Sequence, residues 1–316
     1  MELNAEARMY SSGTDSLKMT ERAKTFAWAS QFLAVTIRCD LETLYTFCRY
    51  VDDSVDKSDD ELEARLALQQ IRVDLEKSNS TLAPVAEFLE LAARRNIPLV
   101  LALELVSGVQ SDINLVQMSC EEELLRYCYR VAGTVGLMVC FLLGVNNRDA
   151  LAAAIDLGIA MQLTNIVRDV TEDYLQGRIY LPVELISGQA IAAAFRQDGD
   201  AQTDVFEAVN HLIAKSETYY RSSDCGICWL PAPTRLAILT ASRAYRKIGR
   251  LILSSPERYF RERISTSRID KQVCLLSAIS SLISPRYHRT ANSPGHRREL
   301  HEHLKGVVSF DAVCRP

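Results

Sequence analysis

The chain has 316 residues, of which 48% are hydrophobic and 24% charged, an ordinary globular composition that excludes wholesale disorder. Against 40 Asp and Glu stand 36 Lys and Arg, a formal net charge of −4, and so weakly acidic a chain argues against a nucleic-acid partner, whose binders present a basic surface. Only 9 Pro and 13 Gly point to long helices rather than to many turn-linked strands.

Residues 1–17 read as a polar N-terminal segment without the apolar run of a signal peptide. The nine cysteines are odd in number and most fall inside apolar helical patterns, as small core residues do. Both features suit a reducing, cytoplasmic setting. Helical periodicity then runs through 18–38 and 40–57, separated around Arg38-Cys39-Asp40, and on through 60–77, 81–95, 98–115, 121–143 and 148–174. It resumes over 203–221, 232–254 and 267–283, while Pro98, Pro182, Pro231 and Pro256 fall at joints, where proline is tolerated. No alternating strand pattern and no fixed repeat interrupts the series. The expectation is one all-α domain over 18–283.

Three local features invite a functional reading and support a plainer one. The longest apolar stretch, Val131 to Val145, has 15 residues where a bilayer span needs about 20; it reads as a buried core helix. Cys225-Gly226-Ile227-Cys228 lacks the second ligand pair that a structural zinc needs, and reads as a turn before a helix. Residues 284–316 hold six Lys or Arg, three acids and four of the five histidines, the composition of a basic, solvated, flexible tail. His301 and His303 suggest a metal pair, but positions i and i+2 do not face one another on a helix.

The chemistry concentrates in two acidic stripes. In YTFCRYVDDSVD, Asp52 and Asp56 share a helix face that Arg49 and Tyr45 extend. Gln162, Asn165, Asp169 and Asp173 are spaced three, four and four, with Ile155, Ile159, Leu163, Ile166 and Val170 behind them. An amide pair continuing an acidic stripe inside an apolar helix suits a cavity wall better than a solvated face. Carboxylates and an amide carbonyl are hard donors that suit Mg²⁺ bridging to phosphate, and two such walls could hold a metal–diphosphate cluster. Spacing alone leaves two solvated acidic faces as the other reading and names no substrate.

At these residues a resemblance appears. YTFCRYVDDSVD, YCYRVAGTVG and QLTNIVRDVTEDYLQGRIYLP resemble the signature segments of the squalene and phytoene synthase family, in its order and at its distances. KTFAWASQFL and the segment around Ala241-Ser242-Arg243-Ala244-Tyr245 extend the similarity over roughly residues 18–283. The resemblance implies an isoprenoid synthase-like bundle around a central cavity, with two or three Mg²⁺ ions per active site. Asp52, Asp56, Asn165 and Asp169 match the family's ligands, and Asp173 completes the second aspartate motif. Tyr45, Arg49, Gln162, Arg168 and Tyr245 match positions that contact prenyl diphosphate, Tyr127 one near the reacting carbons, and Ala132 and Gly133 small residues at a kink beside the channel. Arg178 belongs to the GRIYLP segment. Lys24 and Thr25 retain charge and hydroxyl near the start, although Arg22 stands where the family often has histidine. From the residues alone, Arg49 neutralising Asp52 or Asp53, Arg168 pointing about 100° away from Asp169 to pair with Glu172, and Tyr127 and Tyr245 serving as core tyrosines remain open.

The resemblance implies head-to-head condensation of two prenyl diphosphates through a cyclopropylcarbinyl diphosphate. The motif texts look most like the carotenoid branch: two geranylgeranyl diphosphates to phytoene, with no NADPH expected and no Gly-rich dinucleotide fingerprint present. The alternatives are farnesyl diphosphate condensation to dehydrosqualene, presqualene diphosphate or squalene, a non-catalytic assembly factor, and a cyclising terpene synthase of the same fold. Because long prenyl substrates partition into bilayers, peripheral contact with the inner membrane face is open to such a protein, with the basic tail adding attraction to anionic lipid.

Overall fold

The computed structural model describes residues 33–58, 60–113, 116–283 and 296–314. The segment 1–17, Arg22, Lys24 and Thr25 lie outside the described residues. Helices dominate: α1 (Val35–Asp56), α2 (Glu61–Lys77), α3 (Ala83–Arg95), α4 (Leu99–Gln110), α5 (Glu121–Cys128), α6 (Thr134–Leu142) and α7 (Arg148–Leu175). After them come α8 (Gly188–Phe195), α9 (Gly199–Ser223), α10 (Ala232–Leu253), α11 (Pro256–Tyr259), α12 (Arg268–Leu282) and α13 (Val308–Cys314). The all-α expectation holds.

The central element is α7. Asn147 caps it, its side chain accepting from the Asp149 and Ala150 amides, which satisfies donors that a helix start leaves orphaned. Ile155, Ile159, Leu163, Ile166 and Val170 are all buried, each side chain contributing roughly 2 kcal/mol of apolar transfer. Burying that face sets the rotation of the helix and turns the polar stripe toward the interior cavity. Between α5 and α6 a π-turn (Tyr129–Gly133) falls where the kink is expected at Ala132 and Gly133. Here α7 approaches at backbone contact: a Cβ on Gly158 would lie 2.5 Å from the Ala132 carbonyl oxygen, and one on Gly136 2.5 Å from that of Ala154. No side chain fits at either position, so the two glycines fix how closely the channel walls meet.

Several local expectations need correction. α1 runs unbroken through Arg38-Cys39-Asp40, because Asp40 is buried and held by Arg94 at 2.7 Å and Arg95 at 2.5 Å, rather than capping a new helix. α8 was not expected; the Ser187 side chain caps it by accepting from the Ala190 amide. Two short strands also occur, β1 (Val116–Gln117) and β2 (Arg178–Ile179), paired in parallel. Gly177, at φ 76°, gives the left-handed turn that reverses the chain from α7 into β2. The lone CxxC sits in a 3₁₀ turn (Asp224–Trp229) with both cysteines free.

The largest difference concerns the tail. Residues 296–314 are packed rather than solvated: a 3₁₀ turn (Arg298–Leu304) and α13 bury Leu304, Val307 and Phe310. Ser309 Oγ lies 2.9 Å from the Tyr129 hydroxyl and donates to Glu104 at 3.0 Å, while Arg126 donates to the His303 carbonyl at 2.7 Å. Three apolar residues spaced by three turned one side of a charged segment inward, a signal that overall composition hides.

The helices spanning Glu121–Leu142 and Arg148–Leu175 are long and apolar enough to cross a membrane by length and composition. In the fold, more than half of each apolar window is buried against other elements.

Candidate active site

The two acidic stripes meet. α1 presents Tyr45, Arg49, Asp52 and Asp56, and α7 presents Gln162, Asn165, Asp169 and Asp173, to one polar chamber that Tyr127 and Arg178 also line. The chamber opens into an apolar channel: Val131, Gln162 and Asn165 border both. The channel then descends between α6 and α7, from Val131 to Leu143 on one wall and from Asn165 to Ala150 on the other. Ala132 stands in that wall. Gly133 lies beneath the Tyr129 ring, and neither Gly133 nor Tyr245 reaches the lining of either space.

Charge decides what the chamber can hold. Seven carboxylates (Asp52, Asp53, Asp56, Asp112, Asp169, Glu172, Asp173) face four cationic side chains (Arg49, Lys57, Arg178, Arg263). With Arg168 bonded to Asp169 as a fifth cation, two negative charges remain in excess, and a diphosphate is repelled unless cations enter with it. The donor set fits Mg²⁺. Asn165 adds a specific sign: its Nδ2 donates to Gln162 Oε1 at 3.3 Å, which leaves Oδ1 buried with no hydrogen-bond partner. An unsatisfied buried acceptor costs about 1–3 kcal/mol, a cost that a hard cation removes.

Ion pairs hold the walls. Arg49 donates to Asp53 at 2.5 Å and stands 3.7 Å from Asp52; Arg178 donates to Asp56 at 3.0 Å, tying β2 to α1 across the chamber. Asp169 is clamped from both sides, by Arg168 at 2.7 and 2.5 Å and by Arg263 at 2.8 and 3.3 Å. Of the readings left open for Arg168, pairing with Glu172 is not the one the fold adopts. Both side chains are buried, where an unpaired charge is too costly to leave, so the guanidinium folds back onto its neighbour and does not line the chamber. Glu172 instead lies 3.4 Å from Arg263.

Among the chamber residues that escaped the sequence reading are Arg263, Tyr180 and Asp112. Tyr180 lies in the GRIYLP segment, but Arg263 and Asp112 sit beyond any motif. Asp112 accepts from Tyr127 at 2.9 Å and from Tyr180 at 2.8 Å, and the two rings stack with centroids 5.0 Å apart. Burial is the main influence raising the Asp112 carboxyl from its ordinary 3.8 to about 6; Arg178 and the two hydroxyls oppose it, and Asp56 adds to it. Burial, then the Asp112 charge, pushes the Tyr127 phenol well above its usual range, so Tyr127 is a neutral hydrogen-bond donor.

This carboxyl yields a pH prediction. A raised folded pKa means that the folded state holds the proton more tightly than the unfolded chain, so its ionisation lowers stability as pH rises from about 4 to about 6. In metal-free buffer, Asp112→Asn should gain on the wild type across that window by up to about 3 kcal/mol and match it near pH 4. Urea melts from pH 4 to 8 measure the difference; a constant offset refutes the burial account.

The chain is similar to known proteins over most of its length. Residues 19–270 match the family model described as squalene/phytoene synthase. The chain is 32% identical to a 15-cis-phytoene synthase of Enterobacter agglomerans over 85% of this chain and 95% of that one. It is also 32% identical to a 15-cis-phytoene synthase of Pantoea ananas over 88% and 94%. Among solved structures, it resembles a dehydrosqualene synthase at 27% identity and a TM-score of 0.73, covering 90% of this chain and 98% of that one.

Proposed function

The chain belongs to the squalene/phytoene synthase family, prenyltransferases that depend on divalent metal in general, and on that premise we propose that it condenses two geranylgeranyl diphosphates head to head to phytoene. The observation that carries this reading is the acid-lined chamber opening directly into an apolar channel. The channel length favours the longer substrate. Asn165 and Ala150 are fifteen residues apart on α7, about 22 Å at 1.5 Å per residue. With carbon–carbon bonds near 1.5 Å, an extended chain advances about 1.25 Å per carbon. The sixteen-carbon backbone of a geranylgeranyl tail then spans about 20 Å, and the twelve-carbon backbone of a farnesyl tail about 15 Å.

Asp52 and Asp56 on one wall, with Asn165, Asp169 and Asp173 on the other, would hold two or three Mg²⁺. Bound there, the ions supply charge neutralisation of the diphosphate and Lewis-acid help in ionising the allylic C–O bond. Tyr45, Arg49, Gln162 and Arg178 face the same space and would orient the diphosphate oxygens. Tyr127, held by Asp112, lines the chamber with a neutral hydroxyl. Val131, Val135 and Leu157 line the channel and offer the cation neither water nor a lone pair to capture it. The allylic cation adds to the second double bond with loss of a proton, giving the cyclopropylcarbinyl diphosphate; its ionisation, rearrangement and final proton loss give the hydrocarbon without reductant.

Purified protein incubated with Mg²⁺ and either geranylgeranyl or farnesyl diphosphate, with and without NADPH, tests the proposal, with the Asp52→Ala, Asp169→Ala double variant as control. A C40 hydrocarbon made without NADPH and absent from the control is expected. A C30 product would move the chain to the dehydrosqualene or squalene branch, and no product from either substrate would favour an assembly role.

A further inference from the structure

A second candidate centre lies apart from the aspartate chamber. Asp156, on α7, is fully buried and lines neither the chamber nor the channel. It is nine residues before Asn165, about 13 Å along the helix. Its carboxylate meets two imidazoles from the C-terminal segment: His301 Nε2 is 2.9 Å from Oδ1 and His296 Nε2 is 3.0 Å from Oδ2. The three donor atoms lie within 4.8 Å of one another, and the two rings stand 4.3 Å apart at a 38° tilt.

An ordinary His–Asp hydrogen-bond triad accounts for only half of this cluster. The His301 contact has hydrogen-bond geometry. The His296 contact has the distance but not the direction, so His296 Nε2 and Asp156 Oδ2 are both buried without a hydrogen-bond partner. Two orphaned polar atoms at one buried point are costly. One ion between the three side chains satisfies both. Donors each about 2.1 Å from a shared ion stand roughly 3.0–3.4 Å apart; the two nitrogen–oxygen separations here are 2.9 and 3.0 Å.

We propose that Asp156, His296 and His301 bind one divalent transition-metal ion, Zn²⁺ being the best match, which clips residues 296–314 onto α7. Two imidazoles and one carboxylate are the donor set of zinc and its first-row neighbours, whereas Mg²⁺ favours oxygen alone. The clip acts behind the channel. His301 packs edge-on against Phe310, and Phe310 against Tyr129 of the π-turn, with Ser309 bonded to the same tyrosine. Holding this segment supports the kinked wall without touching substrate, independently of what the chamber catalyses.

The test uses the full-length protein, stripped with EDTA, reloaded with Zn²⁺ in buffer containing excess Mg²⁺, desalted and assayed for bound zinc by atomic spectroscopy. One zinc per chain is expected in the wild type and in Asp173→Asn, falling at least tenfold in His296→Ala and in His301→Gln. A wild type that keeps no zinc overturns the proposal, as does zinc that survives both histidine changes or departs with Asp173. Zinc-edge X-ray absorption on the wild type needs no variant to fold. Imidazole scattering supports the site, and a shell of oxygen or sulfur alone refutes it.

Discussion

Asp169→Asn and Asp173→Asn should each lower kcat/KM at least 10³-fold with Mg²⁺ present, a loss of about 4 kcal/mol or more of transition-state stabilisation, yet differ sharply in stability. Asp169 is 3% exposed and neutralises Arg168 and Arg263 together. Its amide would leave two guanidinium groups under-compensated in a largely buried site, at a cost of about 3–5 kcal/mol. Asp173 is half-buried at the chamber wall, and Asp173→Asn should cost less than about 1 kcal/mol. Urea denaturation beside steady-state kinetics over a Mg²⁺ titration separates the effects. Asp173→Asn with wild-type turnover would defeat the metal assignment on α7, whatever happened to Asp169.

The second large effect is on product length. Ala154 lines the channel eleven residues below Asn165, about 16 Å along α7. Ala154→Phe should close the channel near that depth, leaving room for a farnesyl tail and expelling the last isoprene unit of a geranylgeranyl tail. Five carbons, at about 0.8 kcal/mol each, are worth roughly 4 kcal/mol. The ratio of kcat/KM for the C20 over the C15 substrate should therefore fall by 10²- to 10³-fold. Competition between the two diphosphates with chromatographic product analysis measures it, and a thermal melt checks that the added ring has not overpacked the wall. An unchanged ratio would mean that the tails bind elsewhere, and with it the length argument for the C20 substrate would go.

The legible part of the site was the part written in local spacing. Asp52 with Asp56, and Gln162 through Asp173, share their faces because an α-helix repeats every 3.6 residues, and both stripes do line one chamber. Arg168 shows where local geometry fails. Helix angle turns its Cβ away from Asp169, but a long side chain in a buried setting goes to the nearest countercharge. Arg263 and Asp112 were invisible for another reason. They enter the chamber from the loop after α11 and from the end of α4, and neither belongs to a periodic pattern that marks a wall.

What the sequence by itself determined is the helical class, the acidic stripes with their apolar backs, and, through its motif texts, the family. These depend on residues within a few turns of one another, where i, i+3 and i+4 relations hold regardless of the rest of the chain. Only the tertiary structure decided that the chamber joins the channel, that Asp169 lies between two arginines, and that residues 296–314 belong to the packed body. Those relations join positions tens to more than a hundred residues apart, such as Asp169 with Arg263 and Asp156 with His301. They exist because buried charges must find partners and small residues let helices touch, constraints that act only once the chain has closed on itself.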